Sequence, residues 1–103
     1  MNDERAPQKS AVKGGHETIL LVEDEPVLRE LASVILRDYQ YEVLEAGTGA
    51  EAIKIWEQHQ GKIDLLLTDM VMPEGMTGRE LAEKLKSRKP DLRIIYKIGR
   101  AHV

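Results

Sequence analysis

The stretch Ile63-Asp64-Leu65-Leu66-Leu67-Thr68-Asp69-Met70-Val71-Met72-Pro73, continued by Glu74-Gly75-Met76-Thr77-Gly78, decides how this chain folds. A short apolar run rich in Leu and bounded by turn formers reads as a strand buried on both faces. Asp69 stands where that strand runs out, and Pro73 and Gly75 turn the chain directly afterwards. An acid in such a place often does no more than cap a turn. In an open parallel sheet, however, ligands bind at the carboxyl ends of the strands, which puts Asp69 where chemistry takes place.

A second stretch strengthens that reading. Thr18-Ile19-Leu20-Leu21-Val22 is another buried-strand run, and it ends in Glu23-Asp24-Glu25. If the two strands are neighbours, at least three acids converge on one spot. Two carboxylates about 4 Å apart repel by roughly 4 kcal/mol at an effective dielectric near 20. A hard divalent cation relieves such repulsion, and a set of oxygen ligands favours ions of the magnesium type.

The rest of the chain supplies the scaffold. Pro26 suits a first helical position, and Leu28, Leu31, Ala32 and Ile35 recur at helical spacing. Arg29, Glu30, Arg37 and Asp38 fall on the opposite side of that helix, which ends near Tyr39. Tyr41 to Ala46 reads as a strand, broken by Gly47-Thr48-Gly49. Those glycines lack the longer pattern of a phosphate-binding loop, so Thr48 reads as a helix cap, with Glu51 completing a capping box. The helix that follows runs to about His59 and buries Ala52, Ile53 and Trp56. A third helix opens at Thr77 or Gly78 and buries Leu81, Ala82 and Leu85, and Arg93 to Tyr96 begins a fourth strand. The order βαβαβαβ with short connections calls for a parallel sheet with helices on both faces.

Composition sets outer bounds. The 103 residues carry a net charge of −3 and 42% hydrophobic residues, enough for one small domain. Without cysteine there are no disulfides or thiolate metal sites, which suits a reducing cytoplasm. No apolar run approaches the roughly 20 residues of a membrane helix, so no membrane contact is expected of this chain. The mildly acidic balance offers no footprint for nucleic acid. His16, His59 and His102 are scattered and have no partner at metal-ligand spacing. Met70, Met72 and Met76 cluster beside the acids, but thioethers are not hard-cation ligands, and they are expected to pack the loop.

The strand ending in Glu23-Asp24, followed by Asp64-Leu65-Leu66-Leu67-Thr68-Asp69-Met70-Val71-Met72-Pro73 and a nearby Gly, closely resembles the receiver domains of response regulators. The resemblance runs from about Glu17 to Tyr96. It implies a flavodoxin-like α/β fold with strand order 2-1-3-4-5, in which the strands ending at Asp24 and Asp69 lie side by side. It further implies that Asp69 is the phosphoacceptor. Glu23, Asp24 and Asp69 then hold Mg²⁺, with the Val71 backbone carbonyl as a further ligand. The implied function is phosphoacceptance in a two-component phosphorelay, from a histidine kinase or a histidine phosphotransfer protein, in the cytoplasm and without turnover of small molecules.

The chain also departs from that pattern. Receiver domains have a fifth strand ending in a lysine, and a serine or threonine closing the fourth strand. Here Ile98 falls where the Ser/Thr belongs, and Lys97 comes far too early to be that lysine. The expectation is a flexible leader over 1–16, a partial receiver over 17–96 lacking the last strand and last two helices, and a non-native or divergent tail over 97–103. Such a chain is expected not to transmit the usual switch. With the last helix missing, alternate residues of Ile19–Val22 and Leu65–Thr68 should look out uncovered, and the strand around Ile94 and Ile95 should be an open edge. Alternatives are a receiver at the C-terminal end of a hybrid sensor kinase and a degenerate, phosphate-independent module. A Mg²⁺-dependent phosphohydrolase is disfavoured: it wants Asp-x-Asp at the end of its first strand, where this chain reads Glu23-Asp24-Glu25.

Overall fold

The computed structural model describes residues 16–72 and 75–97. Of the leader expected over 1–16 only His16 is described, and of the tail expected over 97–103 only Lys97; the rest of both lies outside these residues. The elements alternate as β1 (Thr18–Val22), α1 (Pro26–Asp38), β2 (Glu42–Ala46), α2 (Gly49–Gln58), β3 (Leu65–Asp69), α3 (Gly78–Arg88) and β4 (Arg93–Lys97). The four strands form one parallel sheet in the order β2-β1-β3-β4. All of this agrees with the βαβαβαβ reading and with the strand order implied by the resemblance. Among the described residues β4 is an edge, as expected, and it runs one residue past Tyr96 to include Lys97.

Strand register assigns side chains to two faces, because successive residues point to opposite sides. Leu20 and Val22 of β1, Ala46 of β2 and Leu66 of β3 form one buried layer. Ala52 and Trp56 of α2 and Leu81, Ala82 and Leu85 of α3 close over it, joined by Ile63, Met72 and Leu92. Each of these residues had only to alternate or recur with the right period to reach this core.

The helix caps differ from expectation in detail. Thr48 does cap α2, accepting from the Glu51 N–H, but the Glu51 carboxylate accepts from the Gly47 N–H instead of closing a box on Thr48. The full reciprocal box is at α3, between Thr77 and Glu80. At the start of α3, Gly78 lies against the end of β3, and its N–H donates to the Met70 carbonyl. A Cβ there would come within 1.7 Å of the Asp69 carbonyl oxygen, so only glycine lets this helix start so close to the strand end.

The other face corrects two expectations. α1 lies over β2 and β1, but not with the face that its apolar periodicity predicted. Leu28, Leu31 and Ile35 are exposed, as are Val27 and Val34, and the fully buried α1 residue is Ser33. The helix docks instead through Arg29, Ser33 and Arg37, three residues at i, i+4 and i+8. Ser33 Oγ donates to Glu45, Arg37 donates to Glu45 and to the Val43 carbonyl, and Arg29 donates to the Glu23 carbonyl. Two arginines expected in water therefore face the sheet, because Glu45 and two carbonyls wait there. The second correction concerns coverage. Ile19 and Leu21 are buried to 1% and 0% exposure, not uncovered. They belong to a central strand with α1 above it, whereas Leu65 and Leu67 are half-buried and Ile95 is exposed.

Candidate functional site

The acids meet at the carboxyl edge of the sheet. Val22 is level with Thr68 in the parallel pairing of β1 with β3, so Glu23 and Asp69 are the next residues on adjacent strands. The Glu23 N–H donates to the Ala46 carbonyl at 3.0 Å, which carries the β1–β2 pairing past the end of the strand and fixes the turn where Asp24 follows. One carboxylate oxygen from each of Glu23, Asp24 and Asp69 lies within 4.8 Å of the others. Glu23 and Asp69 are buried to 1% and 5% exposure, and Asp24 is half-buried. The convergence read from the sequence is therefore present. Three carboxylates so close, two of them out of water, form a set of hard oxygen donors that fits a divalent cation.

Glu23 is held from several sides. Its Oε2 accepts from the Glu25 N–H at 3.1 Å, and its Oε1 accepts from Lys97 Nζ. Burial works to raise the pKa of the Glu23 carboxyl, but the Lys97 ammonium and the Glu25 N–H outweigh it and hold it below the ordinary carboxylate range. Lys97 Nζ also stands 3.9 Å from Asp69 Oδ1. This lysine was set aside in the sequence because a receiver's lysine belongs on a fifth strand. It reaches the acids by another route, from the end of β4, where it is level with Asp69.

Asp69 is the last residue of β3, and its carbonyl accepts from the buried Thr68 hydroxyl at 3.1 Å. Val71 follows in the loop with its side chain 74% exposed. Of the three neighbouring methionines, Met72 joins the core and Met76 packs against it, as expected, whereas Met70 is exposed and packs nothing closed. His59 lies away from the acids, with Nδ1 3.0 Å from the Ile55 carbonyl at the end of α2. Arg29, which ties α1 to the backbone of Glu23, was not picked out in the sequence. Its only signal was a helical spacing shared with Ser33 and Arg37.

No helix among the described residues is long and apolar enough to cross a membrane. Comparison with known proteins agrees with the geometry. The sensor kinase CckA of Brucella abortus (strain 2308) is 38% identical over 98 residues, covering 95% of this chain and 10% of that protein. This chain thus spans about a tenth of that relative. Among solved structures, the response regulator TrrA of Thermotoga maritima, in complex with Mg(2+)-BeF, superposes with a TM-score of 0.70 at 39% identity, over 78% of this chain and 67% of that one. A structure of the histidine kinase ThkA in complex with TrrA matches with a TM-score of 0.70 at 37% identity, over 84% of this chain and 72% of that chain. The profile of the response regulator receiver domain matches residues 19–100, and with the acids placed as they are, the chain belongs to that family.

Proposed function

We propose that this chain is the phosphoacceptor of a two-component relay, with Asp69 taking a phosphoryl group from a histidine kinase or a histidine phosphotransfer protein. The observation that carries this reading is the convergence of Glu23, Asp24 and Asp69 within 4.8 Å at the carboxyl edge of a receiver-family sheet. An Asp69 carboxylate oxygen attacks the phosphorus of a phosphohistidine. An O–P bond forms as the N–P bond breaks, and its electron pair stays on the imidazole, whose second nitrogen carries the proton that leaves the ring neutral. Little other covalent chemistry is required, so positioning and electrostatics dominate.

Glu23, Asp24 and Asp69 are the residues that would hold Mg²⁺, with the Val71 carbonyl as a further ligand. When bound, the ion supplies positive charge to the phosphoryl oxygens and to the acids. Asp24 and Asp69 present the charge that draws the ion in, and the burial of Asp69 keeps competing water from its carboxylate. On this reading the protein is cytoplasmic, makes no contact with nucleic acid through this chain, and is not a turnover enzyme on small molecules. Similarity to a sensor kinase favours a second form of the same reading, a receiver carried at the end of a hybrid kinase. A phosphate-independent module is disfavoured by the presence of all three acids.

The test is incubation of the full chain with acetyl phosphate and Mg²⁺. Intact mass should show one added phosphoryl group, stable in acid and labile in base. Asp69→Asn should abolish it. Label persisting in that variant would move the acceptor elsewhere.

A further inference from the structure

Lys97 is a cation whose ammonium reaches the side-chain carboxylates of the acid cluster. It ends β4 level with Asp69, donates to Glu23 Oε1, and stands 3.9 Å from Asp69 Oδ1. A lysine–glutamate pair on a surface would carry no message, since such pairs are hydrated and weak. This one is different: Glu23 is 1% exposed and the lysine side chain 24%. Breaking such a pair from one side leaves a buried charge uncompensated. Both Glu23 oxygens are also engaged, Oε1 by Lys97 and Oε2 by the Glu25 N–H.

The ammonium takes up Glu23 Oε1 and stands beside Asp69 Oδ1, so a divalent cation entering the cluster meets a positive charge already there, and two such charges about 4 Å apart repel each other strongly. We propose that Lys97 is a tethered counter-ion of the acid cluster, held at the end of β4 against the Glu23 and Asp69 carboxylates, so that Mg²⁺ binds only by displacing its ammonium. The inference rests on reading Glu23, Asp24 and Asp69 as the Mg²⁺ site. It gives Lys97 a role distinct from that of a lysine on a fifth strand. Lys97 neutralises the acids while no metal is bound, and it sets the Mg²⁺ concentration at which the site fills.

The experiment is calorimetric titration of Mg²⁺ into the full chain at fixed ionic strength, for the wild type, Lys97→Met and Lys97→Arg. Lys97→Met should bind Mg²⁺ about tenfold more tightly or better, because one opposing charge is gone. Lys97→Arg, which keeps the charge, should stay near the wild type. A second measurement needs no variant. Acylation of the wild-type lysines, followed by mass spectrometry, should find Lys97 several-fold more reactive at saturating Mg²⁺, while Lys54 and Lys84 stay unchanged. Equal Mg²⁺ affinity in the wild type and a folded Lys97→Met would overturn the proposal. So would a Lys97 reactivity indifferent to bound Mg²⁺, which decides the matter alone if Lys97→Met does not fold. If neither protein binds Mg²⁺, the metal site falls and this proposal with it, whereas a failure of Asp69 phosphorylation with the Lys97 effect intact would count against the acceptor alone.

Discussion

The two faces of the sheet are built on different principles. Under α2 and α3, Leu20, Val22, Leu66, Trp56, Leu81 and Leu85 interdigitate in a closed apolar layer. Under α1 the contact is polar, with Arg29, Ser33 and Arg37 tied to Glu45 and to the Glu23 and Val43 carbonyls. The apolar stripe of α1 looks outward. By strand alternation Glu23, Asp69 and Lys97 belong to this second, polar face. Stability and chemistry are thus unevenly divided: one face is a closed apolar layer under two helices, and the other, which also buries Ile19 and Leu21, keeps charged groups hydrogen-bonded where a ligand can reach them.

The largest expected effect would break this comparison outright if it failed. Leu66→Ala, at a fully buried position of the closed face, should cost about 2–5 kcal/mol in urea unfolding. Leu67→Ala, one residue along and half-buried on the other face, should cost less than half as much. Equal losses would mean that the second face is as closed as the first.

A subtler contrast lies within α1. Ser33→Ala removes a buried hydroxyl that bridges Glu45 and Arg37, and should cost about 1–3 kcal/mol. Leu31→Ala, on the exposed stripe, should change stability by no more than about 0.5 kcal/mol. Reversed magnitudes would show that the helix docks through its leucines in solution.

Acid pH sharpens the comparison with the smallest effect. The Glu23 carboxyl is held below its ordinary value of 4.5 in the folded chain, so the folded state binds its proton less readily than the unfolded one. That contribution is present in full above about pH 4.5, and it is lost as pH falls through the depressed folded value. Lys97→Met removes one of the groups that lower it, so stability measured between neutral pH and pH 3 should fall less steeply in the variant than in the wild type.

Much of the fold was legible because local pattern and tertiary role agreed. Leu65–Leu67 and Ile19–Val22 are apolar on both sides and read as strands, although Leu65 and Leu67 stay half-buried, and Leu81, Ala82 and Leu85 could only be the inner face of a helix. The orientation of α1 was not legible. Two stripes on that helix have the same period, one of Leu28, Leu31 and Ile35 and one of Arg29, Ser33 and Arg37. What chooses between them is Glu45, brought opposite by β2, which is a non-local fact. The convergence of Asp24 and Asp69 was legible only on condition that β1 and β3 are neighbours, a condition supplied by the family resemblance. Lys97 was missed for the opposite reason: the resemblance reserves the lysine for a fifth strand, and that expectation hid what the register of β4 with Asp69 would do.

The contact of Gly78 with the end of β3 bears on how this sequence can drift. Most surface positions reject only certain chemistries, and Arg79 beside it, largely exposed, is open to many substitutes. At position 78 the obstacle is the Asp69 carbonyl itself, 1.7 Å from where any Cβ would stand. Polarity, charge and size make no difference to that collision, since every side chain begins with the same carbon. A backbone oxygen has no rotamer by which to step aside, so an accepted substitution would have to move either the helix or the acid-bearing strand end. The position is closed to mutation by geometry alone, and it stays closed for as long as Asp69 has to remain where it is.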